Sequence, residues 1–461
     1  MDMESMPPAA AAAAAARLES LPISPWHRRL RWIVGGATLF DAFDAMMISL
    51  TLPQLAKLWH LDISAMGLLI SIGYVGQALG AVLIGRWSER IGRVPTLQLA
   101  IAIFGVMSLM SAAARSYPQM LLLRLLSGLG LGAEMPVGAT YMSEFAPSRA
   151  RGRYFLLYEL MFPIGFVAAT LVGAYVLPQF GWRVFYALGG LPLILVPLIR
   201  RYCPESPRWL ISRGHHARAA RIIDDIETGI LGYTTAVAAP AVPPADAAIA
   251  PARAERCDWR ELFRGVYLRR TVIVWILWAA TYSIVYGAVG WLPSLLQGTY
   301  RLPLQRALDL MFVSTLIVAA CNVICALWID RVGRARWFKA AFIGTAVLFP
   351  CLGLFGHGNL TAFVLICFPA LGIIGTVSFS LFLYTPEIYP TRLRATGVSL
   401  ATFWMRAASV LAPLVVAALL PRIGISGVFG YFALAAGAGA IACLAGGVVN
   451  AASRRLEDIS P

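Results

Sequence analysis

Twelve apolar stretches recur along this 461-residue chain, and each is long enough to cross a lipid bilayer as a helix. A hydrocarbon core about 30 Å thick requires about 20 mostly apolar residues of α-helix. The stretches lie near residues 32–55, 65–85, 94–114, 119–143, 154–177, 182–199, 271–296, 307–329, 337–356, 361–384, 398–420 and 427–449. Because lipid offers the backbone no hydrogen bonds, runs of this length predict membrane-spanning helices. Charged residues make up 13% of the chain, about half the share typical of soluble domains, so we expect an all-α membrane protein.

Basic residues predict how the helices are oriented. Lys and Arg translocate poorly and collect in cytoplasmic loops. If both termini are cytoplasmic, six of the 38 basic residues lie in outer loops: Lys57, Arg115, Arg183, Arg301, Arg306 and Arg422. The net charge of +15 then follows from topology and from contact with anionic membrane lipid, and it requires no nucleic acid. We expect a multi-pass protein of a bacterial inner membrane.

A polar segment divides the apolar runs into six and six. Residues 200–270 contain the Ala/Pro-rich sequence AVAAPAVPPADAAIAPARAE, which lacks a helical period and is typical of a mobile linker between short helices. We predict a leader at 1–31, a six-helix bundle at 32–199, the linker at 200–270, a second six-helix bundle at 271–449 and a tail at 450–461. The leader lacks a signal-peptide cleavage pattern, so we expect the first helix to be retained.

Two loop motifs occur in both halves at nearly the same offset. GRWSERIGR at 85–93 aligns with ALWIDRVGR at 326–334, and SEFAPSRAR at 143–151 aligns with PEIYPTRLR at 386–394. Such matches indicate that the halves are repeats of one unit. The arginines of these loops could bridge to carboxylates and latch a cytoplasmic gate, although charges that only set topology would leave the same pattern. The candidate latch residues are Gly85, Glu89, Arg90, Gly92, Arg93, Glu144, Arg151, Asp330, Arg331, Arg334, Glu387 and Arg394.

These motifs resemble the major facilitator superfamily over nearly the whole chain. RLLSGLGLGAEMPVGATYMSE at 124–144, PESPRWL at 204–210 and PEIYPTRLRATG at 386–397 are similar to its sugar-porter and organic-ion-transporter supergroup. The resemblance implies two pseudo-symmetric six-helix bundles with a substrate site near the midplane between them. No ATP-binding element is visible, so we expect transport that is driven by a gradient. We also expect that the transporter needs no cofactor and works as a monomer.

Six ionisable residues are predicted to lie inside the membrane, where burial of a charge costs about 2.5–3.5 kcal/mol. They are Asp41, Asp44, Arg124, Glu134, Glu159 and Arg406. Asp41 and Asp44 share one face of the first helix, where two ionised carboxylates repel each other. Arg124 is a suitable cation for Asp44, and in the resembled superfamily such a pair couples transport to protons.

The sequence around the two aspartates adds a second resemblance. DAFDAMM is similar to the Asp-Gly-Phe-Asp element of the aromatic-acid/proton symporters, with Ala42 in place of the glycine. We therefore assign proton coupling to Asp44 and Arg124, and tuning of Asp44 to Asp41. A purely structural ion pair is the alternative interpretation.

Arg406, in WMRAASVLAP, is the candidate receptor for an organic anion. A guanidinium can hold a carboxylate through two parallel hydrogen bonds, although an arginine that bridges to another helix is the alternative. Aromatic residues of the seventh apolar run suit a flat ring, and they equally suit a packing face. They are Trp275, Trp278, Tyr282 and Tyr286, and further candidate cavity residues are Tyr158, Glu159, Phe403 and Trp404.

Two longer segments are similar to the bacterial niacin-transporter branch of the superfamily: LESLPISPWHRRLRWIVGGATLFDAFD at 18–44 and LGLGAEMPVGATYMSEFAPSRARGR at 129–153. This resemblance implies nicotinate as the substrate. A benzoate-like aromatic acid, an organic cation or drug, and a role as a transporter-like nutrient sensor are the alternatives. We expect neither an enzyme nor a metal site, because the five histidines lie in or beside loops and no nucleophile elbow or phosphate-binding loop is visible.

Overall fold

The computed structural model describes residues 23–146, 151–231, 259–356 and 358–445, and within these ranges the chain is helical without a β-strand. Parts of the predicted leader, linker and tail therefore lie outside the described residues. The α-helices are α1 (Pro25–Leu58), α2 (Ile63–Ile91), α3 (Arg93–Ala112), α4 (Tyr117–Phe145), α5 (Arg151–Glu159), α6 (Met161–Leu188), α7 (Leu195–Tyr202), α8 (Pro207–Ser212), α9 (His216–Leu231), α10 (Gly265–Gly298), α11 (Leu304–Val332), α12 (Arg334–Phe355), α13 (Leu360–Glu387) and α14 (Thr391–Leu444). Short 3₁₀ helices span Leu191–Ile194 and Trp259–Phe263.

Two glycines explain how ten long apolar stretches provide twelve crossings. In the described part of the chain, ten helical stretches are long and apolar enough to span a membrane, and two of them contain 46 and 49 residues. At 1.5 Å per residue each of these two is about 70 Å long, roughly twice the thickness of the hydrocarbon core. Gly181 (φ 77°) interrupts the first and Gly424 (φ 67°) the second. A positive φ favours glycine because it has no Cβ, so each long stretch turns there and forms two spans.

The described residues form two compact units, each with its own core. The described residues of the first unit lie within Met1–Asp44, Val75–Phe166 and Arg183–Ala252. Its apolar core joins α1 to α3, α4, α5 and α7 through buried side chains that include Val34, Phe104, Tyr141, Tyr154 and Ile199. This core fixes α1 against α4, the two helices that carry most of the buried charges.

Glycines bring α2 and α4 into backbone contact within the first unit. A Cβ on Gly80 would lie 2.0 Å from the Leu129 carbonyl oxygen, and one on Gly76 would lie 2.1 Å from the Leu125 oxygen. Small residues allow membrane helices to approach this closely, which gains van der Waals contact where no hydrophobic effect drives association.

The described residues of the second unit lie within Ala45–Tyr74, Val167–Trp182 and Arg253–Pro461. Within it, the start of α2 packs against α14, since Ser71 Oγ donates a hydrogen bond of 2.8 Å to the Val410 carbonyl. The Trp291 indole on α10 donates one of 3.1 Å to the Pro413 carbonyl. The domain boundaries predicted from the sequence stay a prediction.

Candidate functional site

A buried ion pair joins α1 to α4. Arg124 Nη1 donates a hydrogen bond of 2.9 Å to Asp44 Oδ2, and the two residues are 4% and 1% exposed. The second carboxylate oxygen, Oδ1, has no hydrogen-bond partner among the described residues. The charges neutralise each other in a place where either alone would be costly. A proton arriving on Asp44 would remove its charge and release Arg124, so the pair is chemically able to sense protons.

Asp41 lies near a second buried carboxyl group, that of Glu134. Asp41 is buried on α1, one turn before Asp44, and its charge acts on Glu134 of α4. Tyr158 and Glu159, from α5, are the other titratable side chains that act with Glu134. Glu134 is one of the predicted intramembrane charges, for which the sequence suggests a role in the gate or the proton path, and Thr38, which contacts it, carries no sequence signal.

Aromatic side chains of α10 form a stacked row inside the second unit. Trp278 stacks on Tyr282 with ring centroids 5.4 Å apart, and Tyr282 stacks on Tyr286 at 5.6 Å. Tyr74, from α2, continues the row at 4.7 Å from Tyr286. The Trp278 indole donates a 2.9 Å hydrogen bond to Thr385 Oγ1, which fixes one end of the row.

The remaining candidates for substrate contact differ in how exposed their side chains are. Arg406 is half-buried on α14, and Trp404, on the same helix, contacts Trp275 of α10 with ring centroids 5.6 Å apart. Phe403 is 62% exposed, so its ring faces away from the interior of the unit. The sequence grouped Trp275 with Trp278, Tyr282 and Tyr286, whereas in the structure only Trp278 of the two tryptophans stacks with those tyrosines.

The first copy of the loop motif holds a buried arginine among carboxylates. Arg93, at the start of α3, forms ion pairs of 3.0 Å with Glu89 and 3.2 Å with Glu144, and it also donates to the Ser88 carbonyl. Gly92 precedes it with φ 101°, a conformation that favours glycine, and a Cβ there would collide with Glu205. The arrangement ties the turn between α2 and α3 to the end of α4.

The second copy repeats this geometry. Arg334 Nε lies 2.6 Å from Glu387 Oε2, and Gly333 precedes it with φ 89°. Arg90 and Arg331, by contrast, are exposed, and Arg331 lies over the Trp328 ring. Gly85 has open space beside it. The side chains of Arg151, Asp330 and Arg394 lie outside the described part of the structure.

Glu205, from PESPRWL, belongs to the first loop network, a role that the sequence did not predict. Its Oε1 accepts hydrogen bonds from the Arg93 and Ser206 backbone N–H groups, and Oε2 accepts one of 3.2 Å from Val94 N–H. A carboxylate at the start of α3 satisfies N–H groups that have no partner within the helix. Burial raises the pKa of Glu205 despite these bonds. The PESPRWL motif was the only sequence feature that could have pointed to a role for Glu205.

No group of three or more His, Cys, Asp or Glu side chains in the described ranges could hold a metal ion.

Comparison with known proteins relates the chain to membrane transporters. The Major Facilitator Superfamily pattern matches residues 34–413. The niacin transporter of Acinetobacter baylyi is 34% identical over 409 residues, which cover 87% of this chain and 89% of that protein. The gallate transporter of Pseudomonas putida is 30% identical over 437 residues, covering 93% and 94% of the two chains.

A solved structure shares the fold. The inward-open xylose transporter XylE from E. coli superposes with a TM-score of 0.70 at 18% sequence identity, covering 94% of this chain and 99% of that one. The all-α membrane fold predicted from the apolar runs is confirmed by this likeness.

Proposed function

Because the chain belongs to the major facilitator superfamily, whose members are transporters and not enzymes, we propose that it carries a small aromatic carboxylate across the membrane together with protons. Nicotinate is the first substrate to test, since the relatives named above transport niacin and gallate. Both compounds combine a flat ring with a carboxylate. The proposal places the protein in a bacterial inner membrane with both termini in the cytoplasm, as a monomer among anionic lipids.

The Asp44–Arg124 pair is the observation that carries the proposal. A buried pair is seldom more stable than apolar residues in its place, so its presence favours a role in the mechanism. In that role, Asp44 takes a proton from one side, Arg124 is released, and the pair re-forms when the proton leaves on the other side. Substrate and proton would travel together because each changes the equilibrium between the same two states.

Arg406 and the aromatic row supply the proposed substrate contacts. The guanidinium of Arg406 would hold the carboxylate, and Trp278, Tyr282 and Tyr286 would face the ring. The gallate relative favours a second candidate, a benzoate-like acid, which would use the same groups. Competition between nicotinate, benzoate and a quaternary ammonium ion for uptake ranks these substrates and tests the organic-cation alternative.

Uptake into proteoliposomes tests the proposal. Radiolabelled nicotinate should accumulate when the outside is acidic, and Asp44→Asn should lower the accumulation that a given pH gradient drives while exchange of nicotinate between the two sides persists. Arg406→Ala should raise the KM at least tenfold, whereas Arg422→Ala, an exposed arginine on the same helix α14, should leave it unchanged. Wild-type uptake that ignores the pH gradient, or equal KM values for the two arginine variants, would contradict the proposal.

A further inference from the structure

Glu134 is a buried carboxyl group that the proposed mechanism leaves unused. It lies on α4 and is 0% exposed. Its Oε1 lies 3.0 Å from Thr38 Oγ1, and its Oε2 has no hydrogen-bond partner among the described residues. Asp44, which is buried to the same degree, differs because it contacts Arg124.

The charges around Glu134 favour its neutral form. The titratable side chains that lie near it include the carboxyl groups of Asp41 on α1 and Glu159 on α5. An ionised carboxylate that is buried without a cation costs several kcal/mol, and a negative charge on a neighbouring carboxyl group adds to that cost. An oxygen without a partner is also more tolerable as the carbonyl of a neutral acid than as half of a carboxylate.

A chain of three oxygen atoms can serve Glu134 in both protonation states. Thr38 Oγ1 lies 2.8 Å from Tyr158 Oη as well as 3.0 Å from Glu134 Oε1. A hydroxyl has one proton, so it donates to one of these neighbours and accepts from the other. When Glu134 is a neutral acid, it donates to Thr38 and Thr38 donates to Tyr158. When Glu134 is ionised, Tyr158 donates to Thr38 and Thr38 donates to Glu134.

Glu134 is linked to the same two helices as the ion pair. Thr38 and Asp44 lie on α1, while Glu134 and Arg124 lie on α4. A movement of α1 along α4 that separates Asp44 from Arg124 therefore also changes the Thr38–Glu134 contact. Pro136, two residues after Glu134, removes a backbone N–H from α4 and makes this part of the helix easier to deform.

We propose that Glu134 is a second proton-carrying site, which is protonated in this structure while Asp44 is ionised and which exchanges its proton in every transport cycle. Two protons then accompany each organic anion, one on Asp44 and one on Glu134. This inference rests on the proposed function. Its electrical consequence is specific, because a monovalent anion with one proton moves no net charge, whereas the same anion with two protons moves one positive charge.

The test measures how nicotinate uptake depends on membrane potential. Proteoliposomes are held at a fixed pH gradient while a potassium gradient with valinomycin sets the potential. Wild-type uptake should rise when the interior is negative, and the coupling ratio from the reversal potential should be two protons per nicotinate. Glu134→Gln should still accumulate nicotinate down a pH gradient, with a ratio of one and no response to potential. Asp309→Asn, which removes an exposed acid on α11, is the matched control and should keep the ratio of two.

An infrared measurement covers the case in which Glu134→Gln fails to fold. The wild-type protein at neutral pH should show the carbonyl absorption of a protonated carboxyl group, and Tyr158→Phe should shift that band because it removes the end of the hydrogen-bond chain. A wild-type ratio of one, a ratio of two in Glu134→Gln, or a band that is absent or unmoved in Tyr158→Phe would overturn the inference. Failure of the proposed function would appear differently, as wild-type uptake that no pH gradient drives.

Discussion

At the scale of single residues, two tryptophans on α10 allow one hydrogen bond to be measured against a matched control. The Trp278 indole donates to Thr385, whereas Trp275 Nε1 has no hydrogen-bond partner in the described part of the chain. Trp278→Phe removes ring area and a buried hydrogen bond, while Trp275→Phe removes ring area and a buried N–H that makes no hydrogen bond. A net hydrogen bond contributes about 0.5–1.5 kcal/mol.

We therefore expect Trp278→Phe to lower the unfolding free energy by about 1 kcal/mol more than Trp275→Phe does. Thermal unfolding of both variants in the same detergent, followed by intrinsic fluorescence or tryptic cleavage, measures the difference. Equal losses would show that the Thr385 contact adds nothing to stability.

The space beside Gly138 provides a second test at this scale. A Cβ at this position would lie 2.6 Å from Tyr158 Oη, so Gly138→Ala should displace the tyrosine from Thr38 and lower the unfolding free energy by about 1–3 kcal/mol. Gly344→Ala on α12, where a Cβ meets nothing within 4 Å, is the control and should be neutral or slightly stabilising. Differential scanning fluorimetry compares the two, and equal melting temperatures would contradict the crowding argument.

Residue patterns predicted some contacts of the site and missed others for physical reasons. Asp44 and Arg124 could be paired from the sequence because few ionisable residues occur in the apolar runs and opposite charges there need each other. Thr38 could not be identified, since a threonine in a membrane helix can satisfy its hydroxyl on its own backbone and leaves no signal in the sequence. The neighbour of Asp41 also depends on how α1 and α4 are rotated, which hydropathy does not encode.

At the scale of helices, the contact between α2 and α4 predicts which glycines are essential. Gly80→Ala would place a methyl group 2.0 Å from a backbone carbonyl oxygen, and a backbone atom in a helix cannot rotate away as a side chain can. We expect a loss of about 1–3 kcal/mol in unfolding free energy and lower yield of folded protein. Gly353→Ala on α12, with nothing within 4 Å, should cost nothing measurable. Monodispersity in size-exclusion chromatography and melting temperature report both effects.

The helices themselves were predictable, and their ends were less so. The first apolar run begins near residue 32, whereas α1 begins at Pro25, and the seventh begins near 271, whereas α10 begins at Gly265. Hydropathy detects the part of a helix that contacts hydrocarbon, but backbone hydrogen bonds continue into the polar interface, where Arg28, Arg29 and Arg31 can remain in contact with water. The turns at Gly181 and Gly424 depend on backbone dihedral angles that apolar periodicity does not reveal.

At the scale of the whole molecule, the repeat is the feature that sequence predicted with the most detail. The aligned motifs match Arg93 with Arg334 and Glu144 with Glu387. In the structure, the arginine and the glutamate of each copy form an ion pair. Gly92 and Gly333 share a positive φ, as do Gly181 and Gly424. The two halves repeat these residues because both copies of the repeat need the same local backbone geometry. The sequence left open whether the arginines latch a gate or only set topology.

A double-mutant cycle across the two copies decides between these interpretations. The Arg93 and Arg334 pairs share no residue and belong to different units. Arg93→Ala and Arg334→Ala should each lower the unfolding free energy by about 1–3 kcal/mol, and the double variant should lose the sum within about 0.5 kcal/mol. The exposed Arg331→Ala should cost far less.

Uptake rates of nicotinate should not combine in this simple way if both pairs latch one gate, because releasing either pair then affects the same step. The double variant would change the uptake rate by much less than the product of the two single effects. If the two single effects on the uptake rate instead multiply in the double variant, as independent effects do, the arginines only anchor their own loops and set topology.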